Sequence, residues 1–500
     1  MSLPLFKTIT IEGSGVTYEQ PLGLFINNEF VKSKKGQTLT TYNPSNDKPI
    51  TDVYRATEED INEAVRVARH TYNTVWKKKT GLEIAALLRK LAALVEEDKH
   101  IFSAIEAMDA GKPRHTNAAG DIAEVITVFE YYSGWADKIT GKTILGNEDR
   151  LCYTRHEPYG VCGQIIPWNY PMAMAAWKIG PAIATGNVVV LKTAEQTPLS
   201  MLYFATLVVK AGFPPGVINI VSGYGREAGA ALASHLDVDK IAFTGSTATG
   251  KLIMEMAAKT NLKAVTLECG GKSPLLVFDD CDLEQAVKWA TVGIMYNMGQ
   301  VCCATSRIYV QEGIYDKFVL AMKKWVEEST KLGDVMEESC EHGPQVTKDQ
   351  QQKVLGYIEK GKQSGARLVT GGFAPKRDGY YVQPTVFADV TGDMDIVREE
   401  IFGPVVAVGK FTTEEDGIQK ANDTNYGLGA AVFTENITKA HRVASEIDAG
   451  TVFINSSGDT DIRLPFGGFK MSGVGQELGE YGLHTYTRIK AVQVNLNSRL

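Results

Sequence analysis

Three residues of this 500-residue chain are of types that could do covalent chemistry together. Cys302 stands in Gly299-Gln-Val-Cys-Cys303, between a helix-like run, Leu283–Met298, and a strand-like run, Ser306–Val310. A thiol in such a loop is open to activation by helix ends or a cation, and its thiolate attacks electrophilic carbon. A cysteine taken alone is more often an inert buried side chain. Glu268 ends the strand-like Ala264–Leu267 and precedes Cys269-Gly270-Gly271-Lys272. A carboxylate there could take a proton from substrate or water, although read singly it is an ion-pair partner. Asn169 lies in Pro167-Trp168-Asn-Tyr170-Pro171. Its amide could donate to an oxygen that gains charge during reaction, or it could simply complete a turn.

Two glycine clusters compete for a nucleotide phosphate. Gly223-Tyr-Gly225-Arg-Glu-Ala228 has the form of a dinucleotide fingerprint, but the next strand, Lys240–Phe243, does not end in an acidic residue for the ribose. Phe243-Thr-Gly245-Ser246-Thr-Ala-Thr-Gly250 also joins a strand to a helix, whose first N–H groups would face a pyrophosphate. With Lys251 it approaches an ATPase phosphate loop. Leu252 then stands where a magnesium-binding hydroxyl belongs, which argues against ATP chemistry. Lys192 and Glu195 follow the strand Val188–Leu191, where a donor and an acceptor suit ribose hydroxyls, or form an exposed pair.

The elements that must position these groups alternate. Short Val- and Ile-rich runs at Val161–Ile166, Val188–Leu191, Val217–Val221 and Lys240–Phe243 are separated by helix-like Pro171–Ala184, Thr197–Lys210 and Arg226–His235. That pattern predicts right-handed βαβ units and a buried parallel sheet. A second series runs through Pro274–Phe278, Ser306–Val310, Arg367–Thr370, Pro404–Phe411, Ala430–Phe433 and Thr451–Ile454, which predicts a second α/β unit. Ahead of both lie predicted helices at Glu58–His70, Leu82–Glu97 and Asp121–Ile139. The tail Thr485–Leu496 alternates like a strand with no local partner, and such a strand often pairs with another subunit.

Composition narrows the class. A net charge of −7 with 44% hydrophobic residues suits a globular protein and gives no footprint for nucleic acid or an anionic membrane. The seven cysteines form no disulfide framework and no Cys-x-x-Cys pair, so free thiols in the cytoplasm and no metal site are expected. No stretch approaches the ~20 apolar residues of a membrane span, and the first residues resemble neither a secretory signal nor a transit peptide.

Taken together, Pro167-Trp-Asn169, Leu191-Lys192-Thr-Ala-Glu195, Phe243-Thr-Gly245-Ser246, Leu267-Glu268-Cys-Gly-Gly-Lys, Gly299-Gln-Val-Cys302, Glu400-Ile-Phe402-Gly-Pro and Pro465-Phe466-Gly-Gly-Phe-Lys470 resemble the NAD(P)-dependent aldehyde dehydrogenase superfamily. The likeness runs from about Leu22 to the C-terminus and is greatest to the hydrolytic, non-acylating, fungal-type enzymes. It implies an NAD-binding α/β domain (1–138 and 159–270), a catalytic α/β domain (271–470), and an oligomerisation arm and tail (139–158 and 485–500). It implies that Cys302 is the nucleophile, Asn169 holds the oxyanion, Glu268 activates water, and Lys178 and Glu477 relay its proton. Gly245 and Ser246 receive the pyrophosphate in preference to the Gly223 cluster, and Lys192 and Glu195 take the adenosine ribose. Glu400 and Phe402 hold the nicotinamide riboside, with Ile166, Trp168 and Gly225 also on the cofactor side. Glu195 would repel a 2′-phosphate, so NAD is the expected cofactor and NADP the alternative.

Departures from the family bear on substrate. Val301 replaces a cysteine of some relatives, and Thr460 stands where many have an aromatic, leaving Trp168, Tyr170, Trp177 and Phe466 to line the aldehyde tunnel. Asp459 or Asp461 at a wider, more polar mouth could admit hydroxy- or amino-aldehydes in preference to simple aliphatic ones, or could face water. The resemblance also implies a homotetramer, a dimer of dimers, or a dimer, in which arm and tail pair across subunits. The rivals are a CoA-acylating enzyme, which lacks the base; a thiol hydrolase, which needs a histidine partner; and a catalytically silent structural relative, which has lost nucleophile or base.

Overall fold

The computed structural model of the protein describes residues 3–146 and 148–496, so positions 497–500 of the expected tail lie outside the described residues. Two open sheets dominate. The first has eight strands in the order Gly473–Val474, Ala264–Glu268, Lys240–Thr244, Val161–Ile165, Val188–Thr193, Ile218–Ser222, Leu24–Ile26 and Glu29–Val31. Its five central strands are parallel, and short antiparallel strands close both ends. Every residue of Val188–Thr193 is buried, which is why these strands read as continuous apolar runs and do not alternate.

The second sheet has seven strands, ordered Arg367–Thr370, Thr385–Ala388, Val405–Phe411, Arg307–Gln311, Pro274–Val277, Gly429–Phe433 and Thr451–Ile454. All are parallel except Arg367–Thr370, which the second α/β series placed with the rest and which pairs antiparallel with Thr385–Ala388. It is half exposed at the sheet edge, where no crossover helix has to cover it. Thr385–Ala388 was not anticipated; its four buried residues are too short a run to stand out.

Helix ends moved where backbone geometry demanded it. The run expected to span Asp121–Ile139 is a helix only over Ala119–Ser133. Arg226–His235 is not one helix: Gly225–Gly229 forms a wide π-type turn that feeds the short helix Ala230–Ser234. Leu283–Met295 stops before Met298 because Asn297 and Met298 take left-handed φ values of 47° and 57°. No helix among the described residues is long and apolar enough to cross a membrane.

The tail strand, which has no partner nearby in sequence, finds one far back in its own chain. Thr487–Asn495 pairs antiparallel with Arg150–Pro158 across nine residues, and Thr143–Leu145 adds a third strand on the other side. Local reading missed this because the two strands lie more than three hundred positions apart.

Candidate active site

Cys302 lies in a turn between the two sheets, and the approach to it is strained. Asn297, Met298 and Gly299 are consecutive residues with positive φ, at a cost of about 1 kcal/mol or more for each non-glycine. Side chains hold the turn open. The Asn297 amide donates to the carbonyls of Asn169 and Gln300, both at 3.1 Å, and Gln345 Nε2 donates to the Met298 carbonyl at 3.2 Å. Gly299 has φ 69°, and a Cβ there would lie 2.1 Å from the Gly403 carbonyl oxygen, so no other residue fits.

Asn169 is tied to the same turn. Its Nδ2 donates to the Gln300 carbonyl at 3.0 Å, which fixes the amide beside Cys302 and leaves its second N–H for another acceptor. Glu268 closes the strand Ala264–Glu268 and is 3% exposed, and among the described residues neither carboxylate oxygen has a partner at hydrogen-bond geometry. Burial first, and then repulsion from Glu477, push its carboxyl up to about 8. The Cys302 thiol is also held well above its ordinary range by the adjoining Cys303 thiol, by burial and by Glu268.

Behind Glu268 is a buried ion pair. Lys178, on the helix Pro171–Ala184, donates to Glu477 Oε1 and to Thr244 Oγ1, both at 2.6 Å. Glu477 is anchored by reciprocal backbone bonds with Phe466 at 2.7 Å, and its second oxygen has no partner. The structure therefore brings Cys302, Glu268, Asn169, Lys178 and Glu477 into one neighbourhood.

Two cavities meet there, with Asn169, Thr244 and Cys302 lining both. One, of about 180 Å³, is walled by Trp168, Gly245, Ser246, Glu268, Glu400 and Phe402. Glu400 Oε1 accepts from the Gly271 N–H at 3.0 Å, and Phe402, at φ 60°, sets its ring edge-on to Trp168 at 5.3 Å. Gln350 and Lys353 also line it and were missed, because on the polar helix Lys348–Gln363 they read as a solvated face. Gln350 Nε2 donates to the Phe402 carbonyl at 2.7 Å.

Beyond this cavity Ser246 caps the helix Thr247–Ala258, accepting from the Thr249 N–H at 3.3 Å. Lys192 is buried, with its ammonium 3.5 Å from Glu195, and Glu195 opens onto a third hollow of about 280 Å³ beside Tyr224. Ile166 is a core residue and Gly225 opens the π-type turn; neither lines these three cavities.

The second cavity at Cys302 holds about 300 Å³. Tyr170, Trp177 and Phe466 line it as expected, with Val301 and Thr460, but Trp168 belongs to the other cavity. Its acidic groups are a correction. Asp459 and Asp461 do not line it, and Asp461 is bound to Arg463 at 2.5 Å on the surface. Asp121 and Glu124 of the helix Ala119–Ser133 line it instead, with Gly120 one position before them. Tyr296 adds an aromatic that sequence reasoning overlooked.

The whole chain has recognisable relatives. The model of the aldehyde dehydrogenase family matches residues 30–492. An aldehyde dehydrogenase of Emericella nidulans is 55% identical over 491 residues, covering 98% of each chain. The protein named aldehyde dehydrogenase [NAD(P)+] 1 in Saccharomyces cerevisiae is 48% identical, covering 99% of each. Among solved structures, the NAD+ complex of aldehyde dehydrogenase from Bacillus cereus superposes with a TM-score of 0.94 at 50% identity, over 95% of this chain and 97% of that one.

Proposed function

The chain belongs to the aldehyde dehydrogenase family, and from that premise we propose that it converts an aldehyde, NAD and water to a carboxylic acid, NADH and a proton through a thioester on Cys302. The observation that supports this reading is the meeting of two cavities at one thiol, with a buried carboxyl and a fixed amide beside it. An aldehyde carbon does not readily lose hydride until it is tetrahedral. Cys302 makes it so: its sulfur bonds the carbonyl carbon, and its proton passes to Glu268. The oxyanion is received by the free Asn169 N–H and the Cys302 backbone N–H. When bound, NAD supplies the acceptor for the hydride that leaves that carbon, and the carbonyl that re-forms is the thioester. Lys178 and Glu477 carry the proton away from Glu268, which then takes another from the attacking water. The C–S bond breaks, the acid departs and Cys302 is restored.

The residues present fit the cofactor. The free N–H groups at the start of Thr247–Ala258, with Gly245 and Ser246, suit a pyrophosphate. Lys192 and Glu195 supply a donor and an acceptor for the ribose, and Glu400 and Phe402 frame the nicotinamide riboside, with Trp168, Ile166 and Gly225 around them. Glu195 disfavours a 2′-phosphate, so NAD is preferred and NADP is the alternative.

We assign residues 1–138 and 159–270 to the NAD-binding domain, 271–470 to the catalytic domain, and 139–158 with 485–500 to the arm and tail. The assembly in this reading is a homotetramer, joined through the three-stranded sheet, where Ile144, Leu145, Leu151 and Ile489 are exposed. Its seven free thiols suit a cytoplasmic location. Reduction of NAD, followed by absorbance with an aliphatic aldehyde, tests the chemistry. Cys302→Ala is expected to lower kcat by about a thousandfold or more. An unchanged rate in that variant, or no turnover of any aldehyde with either cofactor, overturns the reading.

A further inference from the structure

The carboxyl of Glu124 has no structural reason to be charged. On the same helix Asp121 is neutralised by the buried Lys112 ammonium, which bonds it and also lies 3.9 Å from Glu106. Among the described residues Glu124 forms no ion pair. Its Oε1 accepts from Trp177 Nε1 at 2.5 Å, a neutral donor, and its other oxygen takes no hydrogen bond from the described residues. It opens onto the cavity that ends at Cys302, and no lysine, arginine or histidine among the described residues lines that cavity. The rings of Trp177, Tyr296 and Phe466 complete the surroundings, while the Tyr170 ring already carries the Lys112 ammonium, 4.0 Å from its centroid. A cation is stabilised by π faces as well as by a carboxylate, so these groups favour the same kind of ligand.

We propose that Glu124 is a specificity-determining residue which selects aldehydes bearing a protonated amine beyond the carbonyl, the ammonium resting between Glu124 and the aromatic wall. The inference rests on the function proposed above and names the substrate class of that same site. A purely apolar tunnel would be served at lower cost by an aliphatic side chain, since a half-buried carboxyl without a cation loses part of its hydration. The role of holding the Trp177 indole is distinct, because a neutral amide acceptor would serve it equally.

Titration provides an independent sign. Burial, opposed by the Trp177 hydrogen bond and strengthened by nearby Asp121, raises the Glu124 carboxyl to about 7, while Lys112 acts the other way. Cys303 also lines this cavity, and of the other groups there that titrate, Tyr170, Tyr296 and Cys302 are held above their ordinary ranges. An alkylammonium stays protonated up to about pH 10. Raising the pH through about 7 therefore charges the wall without discharging the substrate.

The test compares 3-aminopropanal and 4-aminobutanal with butanal and pentanal, using wild type, Glu124→Gln and Glu124→Met. Glu124→Gln keeps an acceptor for Trp177 and removes the charge. It is expected to raise KM for the amino-aldehydes by about tenfold or more, leaving kcat and the neutral aldehydes within about twofold. In wild type, the amino-to-neutral ratio of kcat/KM should rise between about pH 6 and pH 8, a change that cancels any titration common to both substrates. Butylammonium should compete with butanal in wild type and lose that competition in Glu124→Gln, a readout that does not require Glu124→Met to fold. An unchanged ratio in Glu124→Gln, or a wild-type preference for the neutral aldehydes, overturns the assignment of Glu124 while leaving the oxidation of aldehydes standing. Absence of turnover with all four aldehydes removes the underlying function instead.

Discussion

The two cavities at Cys302 are walled by different kinds of structure. The cofactor side is made at the C-terminal ends of parallel strands: Trp168 just past Val161–Ile165, Gly245 and Ser246 after Lys240–Thr244, Glu268 ending Ala264–Glu268. The aldehyde side is made of helix faces, Gly120 to Glu124, Tyr170 to Trp177 and Val292 to Tyr296, and of a loop near Ser457. On the first side a Cβ at Gly270 would lie 2.3 Å from Glu400 Oε2, so the carboxylate that accepts from the Gly271 N–H would have to shift. On the second side the lining side chains stand on helices, although Gly293 there is as tight, since a Cβ would lie 2.3 Å from Ser457 Oγ and Thr305 Oγ1. Strand ends set one wall, and helix side chains set most of the other.

Substituting Glu268, which lines only the cofactor side but serves both, should have the largest effect. Glu268→Gln is expected to slow kcat by about 10²–10⁴-fold and to slow the first turnover as well, because the carboxyl takes the thiol proton before the thioester and the water proton after it. An undiminished burst of about one NADH per site before a slow phase would confine the role of Glu268 to thioester hydrolysis. Only the ionised carboxyl accepts a proton, so wild-type kcat should rise with pH through about 8, and the variant should lack that limb. Stability carries the opposite sign. The folded state keeps a proton on Glu268 that the unfolded chain loses near its ordinary carboxylate range, so this group's contribution is full at low pH and disappears as pH rises through about 8. The variant's Tm should therefore fall less than that of wild type between about pH 5 and pH 8.

The same contrast explains what could be read from the sequence. Strand ends announce themselves, because buried parallel strands are unbroken Val and Ile runs and the residues after them are short motifs. Asn169, Glu268, Lys192 and Ser246 were legible for that reason. The aldehyde wall depends on which face of Ala119–Ser133 turns inward, and Glu124 is indistinguishable in sequence from any surface glutamate of a helix. Gln350 and Lys353 were hidden in the same way, on a helix whose polar residues outnumber its apolar ones. The tail strand failed as an isolated reading because its partner, Arg150–Pro158, is distant in the chain. Family resemblance supplied Lys178 and Glu477, which no local pattern links, and the 2.6 Å contact between them shows their proximity.

Glu195 tests the cofactor side at its far end, with a moderate effect. Its carboxylate borders an open hollow beside Tyr224, and its one cation, Lys192, is already engaged with the Thr193 carbonyl at 2.9 Å. Glu195→Gln removes the charge that a 2′-phosphate would meet, while an amide still bonds a ribose hydroxyl. The kcat/KM with NADP relative to NAD should rise by about tenfold. An unchanged ratio would mean that the backbone around the hollow, and not Glu195, discriminates between the cofactors.

The smallest expected effect belongs to Asp461, and it sharpens the contrast most directly. Asp461 accepts from the Arg463 N–H at 2.9 Å and pairs with its guanidinium at 2.5 Å, contacts that hold its carboxyl down at about 2. Its charge is therefore constant across the working range and already satisfied, and it stands outside the cavity that Thr460 borders. Exposed pairs of this kind contribute little, about 0–1 kcal/mol, because water screens them. Asp461→Asn should change KM for 3-aminopropanal and for butanal by less than about twofold, with no change in the ratio between them. A selective loss of affinity for the amino-aldehyde would mean that the loop turns this carboxylate toward bound substrate, and the charge that selects it would then belong to the loop at the mouth and not to the helix face inside.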